Sequence, residues 1–145
     1  MVLWGLKTEA AFDVWSLEHL MMGISLAGLS HIIVKRLTRN ETVSETLKTK
    51  LSFILVLLCA LVWEVIEHYV ELGLLGGKIA YWFQGQEHWS NRIIADNIMV
   101  LLGWFIYQKS NKMAWFARIF SLVWLFFHIV IFPHSMYLHE LMGWH

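Results

Sequence analysis

The amino-acid sequence predicts an all-α polytopic membrane protein: four transmembrane helices in one bundle, with both termini on the non-cytoplasmic side. Three observations carry this. Of the 145 residues, 58% are hydrophobic and 15% charged, against about 45–50% and about 25% in ordinary soluble domains. The apolar residues gather into four runs, each of the order of the ~20 helical residues that cross a hydrocarbon core about 30 Å thick. The basic residues gather in two of the connections between those runs. At this length the chain is the size of a single domain.

The runs cover about residues 12–34, 51–72, 90–108 and 113–133. The third has a short apolar centre, Ile93 to Tyr107, and reaches across if Trp89 to Arg92 begin it in the interface and Gln108 ends it. The opening stretch Met1 to Ala11 lacks a basic n-region, and no small-residue cleavage site follows the first run, so that run is expected to stay as a helix. One cysteine excludes a disulfide framework. The formal net charge is zero, which gives no reason to expect nucleic acid, and there is no Gly-rich loop for a nucleotide phosphate.

Orientation follows from charge. Lys35, Arg36, Arg39, Lys48 and Lys50 surround the first connection, and Lys109, Lys112 and Arg118 surround the third, which makes eight of the eleven basic residues. Positive residues concentrate on the cytoplasmic side. The protein is therefore expected to be integral to the cell (inner) membrane, with the termini and the loop around residues 73–91 facing the periplasm or exterior. Trp4, Trp15, Trp82, Trp89 and Trp144 crowd that outer face, as an interfacial aromatic belt does. Seven of eight histidines, His145 among them, and nine of eleven acids fall toward the same side. Membrane topology does not require this, because acidic residues contribute little to orientation.

The sharpest signal is in the second run. Glu64, Glu67, His68 and Glu71 stand at i, i+3, i+4 and i+7 and so share one helical face. Like charges at this spacing repel, and the carboxy-terminal end of a helix disfavours anions. Something positive is needed: Arg92, a protonated His19 or His68, or a bound cation, since no nearby Lys is evident. Glu71 reads as a solvated helix end. Glu64 lies about two turns deeper, where an ionisable group is costly and faces the bundle interior. Arg92 and Asp96 read as an i,i+4 pair with Ser90 or Asn91 as cap, and Gly103 as a small residue permitting close helix contact. His31, near the cytoplasmic end of the first run, reads as a packing or interfacial residue and Cys59 as a small core residue.

Asp13, Glu18 and His19 in the first run and His128 in the fourth lie at a similar outer depth. Carboxylates and imidazoles from several helices are the natural ligands of a divalent metal, zinc, manganese or iron. The ligand set expected is His19, Glu64 and His68, with Asp96 or His128 completing or orienting it; the competing expectation is a metal-free network in which Arg92 bridges Asp96 and Glu64. Glu64 and Asp96 are the candidate catalytic carboxylates. A pair of Glu-x-x-His motifs, the di-iron signature of helical bundles, is absent.

The run Trp63-Glu64-x-x-Glu67, then Gly85-Gln86-Glu87-His88-Trp89, then Arg92-x-x-x-Asp96 with Gly103 seven residues on, resembles the VanZ-like and YjdF-like small bacterial integral membrane proteins. The match covers mainly residues 63–104. Where VanZ-like proteins often carry Asn four residues after the Asp, this chain has Val100. The resemblance implies a polytopic membrane protein with a polar intramembrane cluster. In antibiotic-linked members it implies an effect on envelope glycopeptide susceptibility, and it supplies no reaction.

Two function classes follow. In one, the cluster is a metal-binding or acid–base site acting on a lipid or envelope precursor. In the other, the protein is a small non-catalytic subunit or assembly factor of a membrane complex, and its polar stripe bonds a partner helix. A haem held by His19 and His128 is a weaker third option.

Overall fold

The computed structural model describes residues 2–144; Met1 and His145, the last of the outer histidines, lie outside the described residues. Its elements in order are β1 (Val2–Trp4), β2 (Ala10–Phe12), α1 (Val14–Leu37), α2 (Glu45–Glu71), α3 (Gly77–Phe83), α4 (Asp96–Lys109), α5 (Met113–Phe126) and α6 (Tyr137–Leu141). A π-helical turn, Asn91–Ala95, leads into α4, and another, Phe127–Ile131, prolongs α5.

Three helices are long and apolar enough to cross a membrane: α1, α2, and α5 with its π turn, Met113–Ile131. The remaining apolar run, the third in sequence, is a continuous helical stretch over residues 89–109. Its α-helical part, α4, has 14 residues and rises about 21 Å, short of the ~30 Å core without the turn before it.

The distribution of side chains is the reverse of a soluble protein's. Lys7, Asp13, Glu18, His19, Glu64, Glu71, Glu87, Arg92 and Asp96 are all buried, while Leu58, Val62, Val65, Leu122, Phe126 and Ile129 on α2 and around α5 are more than half exposed. Charged groups are rarely buried in soluble domains unless paired. Apolar outsides with polar insides are what a hydrocarbon solvent selects.

α1 is the central helix and α4 its closest neighbour. A Cβ on Gly23 would sit 2.1 Å from the carbonyl oxygen of Val100, and one on Gly103 would sit 2.3 Å from that of Leu20. Only glycine fits at either position, so the two backbones touch as small-residue interfaces between membrane helices allow. The role read for Gly103 from the sequence is the one it has. Below this crossing Ala27, Val56, Ala60, Val100 and Trp104 form the apolar core.

Eleven residues along α1 from His19, about 17 Å, lies a compact polar network. Ser30 Oγ and Ser52 Oγ are 2.7 Å apart, Trp104 Nε1–H donates to Ser52 Oγ at 3.1 Å, and His31 Nδ1 lies 2.9 Å from the same hydroxyl. Ser30 also donates to the Ala27 carbonyl. His31 is thus a packing histidine, as its sequence position suggests.

Several expectations are corrected. The all-α prediction misses a two-stranded parallel pair, Val2 opposite Ala10 and Trp4 opposite Phe12, joined through a helical turn in which Leu6 O accepts from Glu9 and Ala10. It also misses α3 and α6, which are too short to show periodicity. α2 begins at Glu45, earlier than its apolar run, because Ser44 caps it through the Leu47 N–H at 3.2 Å. Cys59 is exposed on the apolar outside, not in the core.

Candidate metal centre

The site is assembled at the amino-terminal end of α1. Asp13 caps that helix: one carboxylate oxygen accepts from Trp15 N–H at 2.8 Å and Ser16 N–H at 3.2 Å, and the Asp13 N–H donates in turn to Ser16 Oγ. The other oxygen accepts from Asn91 Nδ2 at 3.2 Å, tying α1 to the π turn. Burial pushes the Asp13 carboxyl above the usual range, and these hydrogen bonds pull the other way. The cap fixes where α1 starts and so places His19, under two turns further on, inside the bundle.

One half of the cluster is organised around Glu71, both of whose oxygens are hydrogen-bonded. Glu71, at the carboxy-terminal end of α2, accepts from Lys7 Nζ through one oxygen. Its other oxygen takes Arg92 Nη2 at 2.5 Å and the Glu87 backbone N–H at 3.2 Å. Arg92 Nη1 lies 3.0 Å from His68 Nδ1, which accepts, since a guanidinium can only donate. Lys7 arrives from the turn between β1 and β2. Its carbonyl holds His88 N–H at 2.8 Å and its ammonium lies 4.9 Å from the Phe83 ring centre.

This half and the turn that feeds it overturn four expectations. Glu71 is buried, not solvated. A lysine does compensate the stripe, brought from 64 residues away. Arg92 turns to Glu71 and not to Asp96, because Asp96 N–H bonds Asn91 O five residues back. A π turn rotates side chains out of the i,i+4 alignment of an α-helix. Neither Ser90 nor Asn91 caps the helix: Ser90 bonds the His88 ring at 2.7 Å and Asn91 holds Asp13.

The other half makes only longer charge contacts, at 3.4–3.9 Å. His19 Nδ1 lies 3.0 Å from the Trp15 carbonyl, and a carbonyl only accepts, so Nδ1 carries the hydrogen. In the neutral ring the lone pair is then on Nε2, and Nε2 faces Glu64 Oε1 at 3.4 Å. A lone pair against a carboxylate is repulsive unless a proton or a metal cation lies between them. Asp96 Oδ1 stands 3.4 Å from the other nitrogen of the same ring. Both oxygens of Asp96, Oε2 of Glu64 and Nε2 of His19 are buried without a hydrogen bond. Leaving such groups unsatisfied costs kcal/mol each, more for charged ones. One ligand atom from each of His19, Glu64 and Asp96 lies within 4.8 Å of the others.

No family model, no curated protein and no solved structure matches the chain. The likeness to VanZ-like and YjdF-like proteins therefore rests on the motifs quoted above alone.

Of the sequence-predicted ligands, His19, Glu64 and Asp96 come together. His68, half-buried one turn from Glu64, is spent on Arg92. His128 lies in an aromatic setting, 4.6 Å from the Trp15 and Trp124 ring centres, with Nδ1 donating to the Trp124 carbonyl at 3.1 Å. Neither joins a converging ligand group among the described residues. Lys7 and Glu87 are the members that sequence reasoning passed over. Glu87 enters from the loop before the π turn, and burial, then the charges of Glu67 and Asp96, hold its carboxyl well above the usual range.

Proposed function

We propose that this protein crosses the cell (inner) membrane four times, with its cluster end outward, and holds a divalent cation on His19, Glu64 and Asp96 for chemistry on a lipid or envelope precursor. The observation that carries the reading is the convergence of buried ligand atoms that no donor satisfies. A cation placed among them relieves the lone-pair conflict between His19 Nε2 and Glu64 Oε1. Mixed nitrogen and oxygen ligands favour zinc, manganese or iron. Such an ion supplies Lewis acidity and an activated water. Three protein ligands leave coordination positions open, as catalytic sites do.

The fourth span is the stretch over residues 89–109, and the outward direction follows from the eight basic residues gathered at the other end. Membership of the VanZ-like or YjdF-like group is part of the same proposal, supported by residues 63–104.

Elemental analysis of detergent-solubilised protein, purified without added metal, tests the site. The parent should carry stoichiometric transition metal, and the double variant His19→Ala with Glu64→Gln should carry none while keeping its helical circular dichroism. A metal-free parent that also fails to take up metal would sink the reading. Reporter fusions test the topology: Asn40 should report cytoplasm and His145 the opposite compartment.

A further inference from the structure

The cluster contains a second set of converging ligand atoms. Glu64, Glu67 and Glu87 each bring a carboxylate oxygen to within 4.8 Å of the others, so Glu64 belongs to both sets. Its oxygens face different neighbours. Oε1 is the one 3.4 Å from His19 Nε2, while Oε2 is buried, without a hydrogen bond, and 3.9 Å from Arg92 Nε. Glu87 Oε2 is also buried and unbonded, with Arg92 Nη2 3.4 Å away. Arg92 is within ion-pair distance of both oxygens but hydrogen-bonds neither, since its short contact, at 2.5 Å, is to Glu71.

We infer that the cluster is built for two divalent cations bridged by Glu64, the first on His19 and Asp96 and the second on Glu67 and Glu87. This rests on the metal-site reading above and extends it. A carboxylate shared by two ligand groups is the natural bridge between ions ~3.5–4 Å apart, the spacing of two-metal sites. Charge points the same way. Asp13, Glu64, Glu67, Glu71, Glu87 and Asp96 face only Lys7 and Arg92 as fixed cations. Were all six ionised, four negative charges would be left in a buried space, where cations compete with protons for the carboxylates. One divalent ion halves the excess, and two remove it. A buried cluster of like charges is costly at low dielectric, so the second ion has both ligands and a driving force.

Mn(II) alone is the probe, added to the full-length detergent-solubilised protein and followed by metal stoichiometry and electron paramagnetic resonance. The parent should bind two Mn(II) per chain and give the spectrum of an exchange-coupled pair. Glu87→Gln, nearly isosteric, should bind one and give the spectrum of an isolated ion, with unchanged helical circular dichroism. A parent that binds one ion, with an isolated-ion spectrum that Glu87→Gln leaves unaltered, would overturn the second site and leave the His19–Glu64–Asp96 site standing. A parent that binds none would overturn both.

Discussion

α1 carries a polar network near each end, and the two are built to different rules. At Ser30, Ser52, His31 and Trp104 the buried hydroxyls and the indole N–H have partners within 3.1 Å. At His19, Glu64 and Asp96, four ligand atoms are buried and lack any hydrogen bond. The first network is closed: adding a ligand could only displace a bond already made. The second is open, and its paired neighbour shows that the fold can satisfy charge when it needs to. Glu71 alone collects Lys7, Arg92 and a backbone N–H. The carboxylate oxygens left without hydrogen bonds a few ångströms from so complete an arrangement are the ones the proposed cation site would use.

The sharpest break is on the paired side. Glu71→Gln leaves Lys7 and Arg92 buried without their anion and should cost about 3–5 kcal/mol of stability, read as a large fall in the detergent melting temperature. Glu64→Gln should behave oppositely without metal, leaving stability equal or higher because one unpaired charge is gone. The parent, in metal at about 100 times Kd, should gain about 2.7 kcal/mol, and the variant should lose that gain. Ser52→Ala should cost about 1–3 kcal/mol by leaving the Trp104 N–H unbonded, with metal uptake unchanged. A Ser52 variant that loses metal would erase the distinction between the two networks.

The smallest effect concerns Asp13. Burial holds its folded pKa above the usual value, which is ~3.9. The folded state then binds more protons than the unfolded one in the window above that value, so this group's contribution to stability falls as pH rises through it. Asp13→Asn keeps a good helix cap and should flatten that part of the pH profile of unfolding. An unaltered slope would show that Asp13 is not the group responsible.

Much of this was legible in the sequence, for physical reasons that also explain the rest. Helix-length apolar runs locate α1, α2 and α5 because the bilayer sets that length. Helical spacing put Glu64 on an inward face, and Gly103 was readable because close helix contact demands a small side chain. Lys7 was not legible: it is a single cation in a segment without periodicity, and its partner lies 64 residues on. Nothing in Asn91 to Ala95 announces a π turn, so the i,i+4 rule wrongly paired Arg92 with Asp96. His68 sits on the predicted stripe, but adjacency to Arg92 decided its partner. Ser30 and Ser52 gave no signal, since isolated serines in apolar helices are ordinary until the fold brings them together.

The central claim is that His19, Glu64 and Asp96 share a cation, and anomalous diffraction measured above the absorption edge of the native metal tests it most directly. A peak should lie ~2.0–2.2 Å from His19 Nε2 and from an oxygen of each of Glu64 and Asp96. A peak on His68 or His128 instead, or no peak in metal-soaked crystals while a proton bridges His19 and Glu64, would contradict it.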